Sequence, residues 1–341
     1  MIEFDEKFFE GEERDGFYVE SEMKHAWAAE MEVLMEIDRI CRKYDIQYFA
    51  DSGTLLGAVR HNGYIPWDDD IDIAMRRSDY MKFINVAHKE LEAPLYCADI
   101  YHWDEWNEPF ARVVNGRGGV NLDARHLEKY HGCPYLVGVD IFILDNFPAT
   151  EAEYEASLSL FEWILSIRKL YNDKKNAQLE NVEGSTVKAE VKLEEDEELE
   201  EQLVKLEEYC NITIDRKKNI ENQLLKAIDG LFAMYRDDES DEIANMSFVK
   251  KGNFHSAGRK KEWYKESILL PFENIMIPVP NQFYKALERT YGPKYLEPVK
   301  TWHYHKYPFY KKERETLREA QKDARNVKDK MDKLEKLLAG K

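Results

Sequence analysis

The sequence predicts an α+β fold in which helices flank a β-sheet. Two strand-like stretches carry the prediction, an alternating run at 70–73 and an apolar run at 135–145. Around them, apolar side chains at three- and four-residue spacing predict helices over 22–43, 78–92 and 150–171. We therefore expect one sheet with helices packed against it.

Composition narrows the class of protein. The 341 residues are 43% hydrophobic, which permits a substantial core, and the net charge of −18 argues against nonspecific nucleic-acid binding. A local basic pocket for a nucleotide stays open. The four cysteines are scattered without a CxxC pair, so they indicate a reducing compartment and no zinc cluster.

The N-terminus shows neither a signal peptide nor a membrane span. Residues 1–6 are acidic, and no stretch reaches the roughly 20 apolar residues that cross a bilayer. We expect a cytoplasmic enzyme, with peripheral attachment at the inner face of the membrane as an open alternative.

The richest stretch of the sequence lies between residues 45 and 75. A short β-favouring run ends at Gly53, and residues 54–60 then open a helix whose first N–H groups form a natural phosphate site. In the strand that follows, Asp70 and Asp72 alternate with isoleucines and so face the same side.

Two aspartates on one side of a strand indicate a divalent cation. Crowded carboxylates resist joint ionisation unless a cation lies between them, and Mg²⁺ prefers oxygen ligands together with substrate phosphates. Mn²⁺ is an alternative. A metal beside a phosphate cradle is what phosphoryl transfer requires. The competing interpretation is an acidic loop followed by an ordinary edge strand with solvated aspartates.

A third acidic residue interrupts the apolar run at 135–145. Asp140 is a charge that is rarely buried without a partner, so we place it on the metal beside Asp70 and Asp72. Asp145, near the end of the same run, is the competitor.

The run GTLLGAVRHNGYIPWDDDIDIAM closely resembles the signature of the LicD family. The match is specific over about 45–80 and looser near 135–148 and 263–298. The resemblance implies a nucleotidyltransferase fold with a mixed sheet, and the periodicity of this chain adds a helical insertion and a long C-terminal helix. The resemblance also implies a Gly-Ser/Thr turn at Gly53-Thr54 and a third acid, which we assign to Asp140.

The resemblance further implies a reaction and its site. Phosphocholine would pass from CDP-choline to a sugar hydroxyl of a cell-surface glycan or its precursor, and CMP would leave. The expected catalytic residues and metal ligands are Asp70, Asp72 and Asp140, and the expected substrate-binding residues are Gly53, Thr54, Arg60 and Trp67. Asp140 is also a candidate acceptor of the hydroxyl's proton.

Two other functions stay open. The donor in the same fold could be CDP-ribitol, or a nucleoside triphosphate in nucleotidyl transfer. A noncatalytic scaffold that associates through the C-terminal tail is the alternative of a different class, although a scaffold has no need for the crowded aspartates.

Other polar and aromatic residues receive alternative interpretations. Arg76 and Arg77 either contact phosphates or offset the nearby aspartates, and the basic loop at 255–261 is assigned to the surface in preference to the substrate. His88 is expected to be a packed or surface histidine rather than a ligand. A choline head group would suit an aromatic cage, for which the candidates are Trp103, Trp106, Trp302 and Tyr304.

The chain divides into four parts. We expect a catalytic core over 1–150, a helical region over 151–245, the C-terminal part of the LicD-like domain over 246–310, and a heptad-patterned tail over 311–341. The charged insertion at 172–198 is predicted to be either a hairpin or a mobile loop.

Two long-range pairings are also predicted. The Asn115-Gly116 turn signal indicates that 110–114 pairs with 119–122 as a hairpin. The acidic helix at 194–208 has a seam that matches the basic tail, so we expect the two to pair within a chain or between the chains of a homodimer.

Overall fold

The computed structural model describes residues 1–180, 196–299, 314–322, 325, 328, 330 and 331, with residues 177–180 described by their backbone alone. The helices are α1 Ser21–Tyr44, α2 Ser52–His61, α3 Arg77–Glu90, α4 Ala124–Lys129, α5 Glu151–Glu180, α6 Glu197–Cys210, α7 Ile220–Ala233, α8 Phe254–Ala257 and α9 Phe283–Tyr291. The strands are β1 Glu12–Arg14, β2 Phe17–Val19, β3 Phe49–Ala50, β4 Ile71–Arg76, β5 Tyr96–Ala98, β6 Ala111–Val114, β7 Gly138–Asn146, β8 Glu242–Ala244, β9 Arg259–Lys260, β10 Ser267–Phe272 and β11 Ile275–Pro280. Short 3-10 helices lie at Glu6–Phe9 and Lys261–Tyr264, and residues 314–322 are helical.

A mixed sheet forms the centre of the fold. Its strand order is β3-β4-β7-β6-β5, and β8 and β9 continue it beyond the end of β7. Strands β4 and β7 run parallel, whereas the other pairs are antiparallel. The expected α+β class with a mixed sheet is confirmed, and the apolar run around Asp140 is its central strand.

The buried apolar side chains form two separate cores. The first surrounds α1, α3 and the main strands, and in it the Trp27 ring stacks on Tyr64 at 4.5 Å. The second gathers buried side chains of α5, α6 and α7, including Leu199, Leu203 and Leu206. The helical region thus has a core of its own, and the boundaries of the four parts stay a prediction.

The predicted hairpin after 110–114 is wrong. Strand β6 is paired on both edges, by β5 and by β7, so no edge is open to residues 119–122. Val120 instead bridges Tyr135. The Asn115 side chain is buried and accepts a hydrogen bond from the Val137 N–H at 3.0 Å, so this asparagine anchors β7 rather than turning a hairpin.

The helix predicted at 150–171 is longer than expected. Helix α5 continues to Glu180, so residues 172–180 are neither a hairpin nor a loop. The alternating residues Val187 to Leu193, on which the hairpin alternative rested, lie outside the described residues.

The tail does not pair with α6 where it is described. Arg314 forms ion pairs with Glu20 at 2.8 Å and with Glu22 at 2.5 Å, and Leu317 packs on the first core. The seam of α6 is already buried in the second core. The intramolecular pairing is therefore wrong for the start of the tail, whereas pairing between chains stays a prediction. The heptad positions Ala324, Val327, Leu334 and Leu338 lie outside the described residues.

The length and apolar character of the helices determine whether any of them could cross a bilayer. Within the described part of the chain, none combines the length and the apolar character that a membrane crossing needs.

Candidate active site

The site is built on two neighbouring parallel strands. Asp72 of β4 and Asp140 of β7 are register partners, so their Cα atoms face each other across the strand pair. The Thr54 hydroxyl accepts a hydrogen bond from the Asp72 N–H at 2.8 Å, and the Asp51 N–H donates to the Asp72 carbonyl at 3.0 Å. The start of α2 is thereby fixed against the aspartate strand, as the sequence predicts.

The first turn of α2 has an unusual backbone. Ser52 has a φ of 48°, in the left-handed region that residues other than glycine rarely adopt. Asp51 occupies the N-cap position without a side-chain capping bond. The first N–H groups of a helix have no intrahelical acceptor, and at Ser52, Gly53 and Thr54 they are the groups expected to bind a phosphate.

A cavity of about 520 Å³ opens at this helix end. It has an acidic wall, a cationic wall and an aromatic side. The acidic wall contains Asp51 and Asp72, the cationic wall contains Lys250, Arg259 and Arg289, and the aromatic side contains Phe142 and Phe248. A cavity with walls of opposite charge suits a ligand that carries phosphate groups beside a metal.

Arg259 connects the two walls. Its guanidinium donates to Asp51 Oδ1 at 2.6 Å and to the Tyr264 hydroxyl at 2.9 Å. Burial lowers the pKa of Arg259, but Asp51 and Tyr264 more than offset it, so the net pKa is raised and the side chain stays charged. The assignment of the basic loop to the surface is wrong for Arg259, which lies in the cavity. Lys260 and Lys261 do form outer ion pairs with Glu242 and Asp237.

The carboxylates of the site crowd one another. Burial raises the pKa of Asp72 well above its usual value, and the charges of Asp70, Asp140, Asp68 and Asp51 raise it further. Such a set disfavours its own ionisation unless positive charge enters. An all-oxygen donor set of this kind fits Mg²⁺ or Mn²⁺ better than a softer metal.

Asp140 has a cationic partner in the next strand. Arg112 of β6 is its register partner and binds it with two nitrogens, Nε to Oδ1 and, at 2.7 Å, Nη2 to Oδ2. The bidentate geometry fixes the plane of the Asp140 carboxylate. A metal ligand role for Asp140 therefore requires Arg112 to share that carboxylate.

Asp70 lies at the start of β4 with two other acids. One carboxylate oxygen from each of Asp68, Asp69 and Asp70 lies within 4.8 Å of the other two. Gly53 comes so close to Asp68 that a methyl group at Gly53 would overlap the Oδ2 atom. Glycine at this turn is thus a steric requirement, and Asp68 joins the acids at the helix end.

Arg60 and Trp67 lie away from the cavity lining. Arg60 donates to His61 Nε2 at 2.8 Å and to the Tyr295 carbonyl at 3.2 Å. The Trp67 ring packs edge-on against Phe17 and His61. Both connect the motif to neighbouring segments, and their role in binding substrate stays a prediction.

Asp145, the competitor of Asp140, belongs to a separate ion cluster. Arg77 binds both of its carboxylate oxygens and also contacts Asp229 at 2.9 and 3.1 Å. Tyr101 donates to the same Asp229. The Arg77 guanidinium thus compensates the negative charge of two buried carboxylates and is not directed at a phosphate site. Arg76 pairs with Asp237 at 2.6 Å.

The proposed choline cage is only partly within the described residues. The Trp103 ring is covered by Arg117 at 5.2 Å, and the Trp106 ring by Arg112 at 5.9 Å. The two rings therefore contact different arginines, and their role in binding choline stays a prediction. Trp302 and Tyr304 lie outside the described residues.

Sequence reasoning missed several residues of the site. Arg112 and Phe248 carried no local signal, and the outward Phe248 ring, 61% exposed, packs edge-on against Phe142. Asp51 and Asp68 did have a local sequence signal. Asp51 lies two residues before the glycine of the recognised turn, and Asp68 lies two residues before Asp70 in the acidic run.

The comparison with known proteins agrees with the resemblance. Residues 45–124 match the family model described as LicD/FKTN/FKRP, nucleotidyltransferase domain. The lipopolysaccharide cholinephosphotransferase LicD of Haemophilus influenzae is 33% identical over 120 residues, which is 35% of this chain and 42% of that protein. The expected resemblance to the LicD family is confirmed over this part of the chain.

Two shorter matches come from rickettsial proteins of uncharacterised function. One from Rickettsia typhi is 44% identical over 52 residues, 15% of this chain and 17% of that protein. One from Rickettsia prowazekii is 46% identical over 48 residues, 14% of this chain and 18% of that protein. The chain spans less than half the length of each of these curated relatives.

Proposed function

We propose that the protein is a Mg²⁺-dependent phosphotransferase, because residues 45–124 match the LicD/FKTN/FKRP nucleotidyltransferase family model. Its donor is CDP-choline and its acceptor is a sugar hydroxyl of a cell-surface glycan or of a glycan precursor. The likeness to a lipopolysaccharide cholinephosphotransferase supports the choice of phosphocholine as the transferred group. The cytoplasmic location and the possible homodimer belong to the same proposal.

One observation carries the proposal. Asp72 and Asp140 are register partners on two parallel strands, and Asp72 and Arg259 both line the cavity, whose lining does not include Asp140. Oxygen ligands for a metal and a fixed cation for a phosphate are thus presented to one ligand. Neither a scaffold nor an ordinary edge strand requires this arrangement.

The residues of the chain divide the work of the reaction. The N–H groups at the start of α2 and the Arg259 guanidinium bind and orient the diphosphate. Asp70, Asp72 and Asp140 would hold Mg²⁺, which neutralises charge on the transferred phosphoryl group when it is bound. The sugar oxygen forms the new P–O bond, the bond to CMP breaks, and the hydroxyl proton passes to a carboxylate of the site.

Calorimetric titration tests the proposal. CDP-choline, CDP-ribitol and CTP are titrated into the full chain with and without Mg²⁺, and then into Asp72→Asn. Asp238→Asn is the matched control, because Asp238 is an exposed acid that pairs with Arg236. We expect Mg²⁺-dependent binding of CDP-choline that Asp72→Asn abolishes and Asp238→Asn retains.

The other outcomes separate the alternatives. Preference for CDP-ribitol or CTP would keep the site and change the donor. Absence of binding by any of the three nucleotides would overturn the proposal and favour the scaffold.

A further inference from the structure

A second group of metal-ligating side chains lies apart from the acidic carboxylates. His88 stands in the last turn of α3, Asp99 follows β5, and His102 lies in the next turn of the chain. His88 Nε2 lies 2.8 Å from Asp99 Oδ2, and His102 Nδ1 lies 3.0 Å from Asp99 Oδ1. The two imidazole rings face each other with their centroids 4.1 Å apart.

From this geometry we propose that His88, Asp99 and His102 bind a divalent transition metal of the Zn²⁺ class. The three ligating atoms lie within 4.8 Å of one another, so small side-chain rotations bring them around one ion. Two imidazoles and one carboxylate form a donor set that Zn²⁺ accepts and that Mg²⁺ does not prefer. The side chains of both histidines are about one-third exposed, at 30% and 32%, which leaves room for a water as a further ligand.

The carboxylate of this site is already oriented by the backbone. Asp99 is fully buried, and its Oδ1 accepts hydrogen bonds from the N–H groups of Tyr101 at 2.9 Å and of His102 at 3.1 Å. Such outer hydrogen bonds fix a ligand's orientation and strengthen metal binding. His88 is therefore a ligand in this proposal, against the expectation from the sequence that it is merely packed or exposed.

The position of the site gives the metal a structural role. Ala98, next to Asp99, is the register partner of Arg112, which binds Asp140. On the other side, the Tyr101 hydroxyl donates to Asp229 in the Arg77 cluster. A metal at this position would connect the end of α3 to the edge of the sheet beside Arg112.

Cobalt absorption tests the proposal on the full chain after removal of metals and of any histidine tag. Co²⁺ is titrated in the presence of excess Mg²⁺, so that the acidic carboxylates are not available to it. We expect visible absorption that saturates at one Co²⁺ per chain and that Zn²⁺ displaces. Zn²⁺ should also raise the melting temperature of the wild-type protein.

Two single substitutions and two controls complete the experiment. His88→Gln and His102→Gln should each lose the absorption and the Zn²⁺-dependent shift in melting temperature, while the metal-free circular dichroism stays that of the wild type. His255→Gln, at an exposed histidine elsewhere, and Asp72→Asn should retain both. Absence of cobalt absorption in the wild type, or its persistence in both histidine variants, would show that the cluster is only a hydrogen-bonded pair of histidines on a buried aspartate.

Discussion

Asp51 and Arg259 are 208 residues apart in the chain, yet their side chains meet in the cavity at 2.6 Å. The carboxylate is 5% exposed and the guanidinium is 12% exposed. The pair therefore joins the recognised motif to a segment that the motif does not predict, and each charge depends on the other for compensation.

Removal of Arg259 alone should be costly. Arg259→Met leaves the Asp51 carboxylate buried without its cation, so we expect the free energy of unfolding to fall by about 3–5 kcal/mol. The double variant Asp51→Asn/Arg259→Met should lose less, because no unpaired charge stays behind. Urea unfolding measures both. Arg236→Met, at an exposed pair with Asp238, is the control and should change stability by about 0–1 kcal/mol. A double variant as unstable as Arg259→Met would contradict this reasoning.

Thr54 should act through its hydroxyl. Thr54→Val keeps the shape but leaves the Asp72 N–H without its acceptor, which should cost about 1–3 kcal/mol of unfolding free energy. The same change loosens Asp72, so Mg²⁺-dependent nucleotide binding should weaken in calorimetry. Thr54→Ser retains the hydroxyl and should bind as the wild type does. Equal behaviour of the valine and serine variants would rule out the hydrogen bond as the cause.

Gly53 should tolerate no side chain. Gly53→Ala places a methyl group against the Asp68 carboxylate, and displacement of that acid should cost about 1–3 kcal/mol and weaken Mg²⁺-dependent binding. Gly230→Ala is the matched control, because Gly230 lies in α7 with open space around it. The control should gain about 0.5–1 kcal/mol from helix propensity. Thermal melts measure the stability of both variants, and calorimetry measures their Mg²⁺-dependent binding. A loss of stability in Gly230→Ala as well would indicate a general intolerance of alanine rather than steric overlap at Gly53.

Glu90 should give the protein a stability that depends on acid pH. Hydrogen bonds from Lys43 and Tyr44, followed by one from Arg39, lower the pKa of Glu90 from its usual 4.5 to about 2. A lowered folded-state pKa adds stability that is fully present above pH 4.5 and is lost as the pH falls toward 2. Glu90→Gln should therefore melt below the wild type at pH 7, and the difference should shrink between pH 4.5 and pH 2. A difference that stays constant over this range would show that the charge of Glu90 is not its cause.

The strands of the site were predictable because their signal is local. The isoleucines around Asp72 alternate with period two, and the charge of Asp140 interrupts an apolar run, so each strand and its functional residue are visible within ten residues. The structure has Asp140 beside Asp72 as register partners, as the sequence predicts, and their role as metal ligands stays a prediction.

The missed features depend on contacts between distant segments. Nothing next to Arg112 or Arg259 in the sequence indicates which carboxylate each will bind. The Asn115-Gly116 signal failed for a related reason, because β6 already has a partner on both edges and a turn dipeptide carries no information about that competition.

The acidic wall comes from the segment that the family model matches, and the cationic wall comes from outside it. Asp51 and Asp72 fall inside the 45–124 segment that matches the family, whereas Lys250, Arg259 and Arg289 fall outside it. In the proposed function, the acids that would hold the metal therefore include residues of the recognisable segment, whereas the cations that would bind the donor's phosphates lie outside it. Under the proposed function, we expect substitutions among residues 245–290 to change the preferred nucleotide while the recognisable signature stays unchanged.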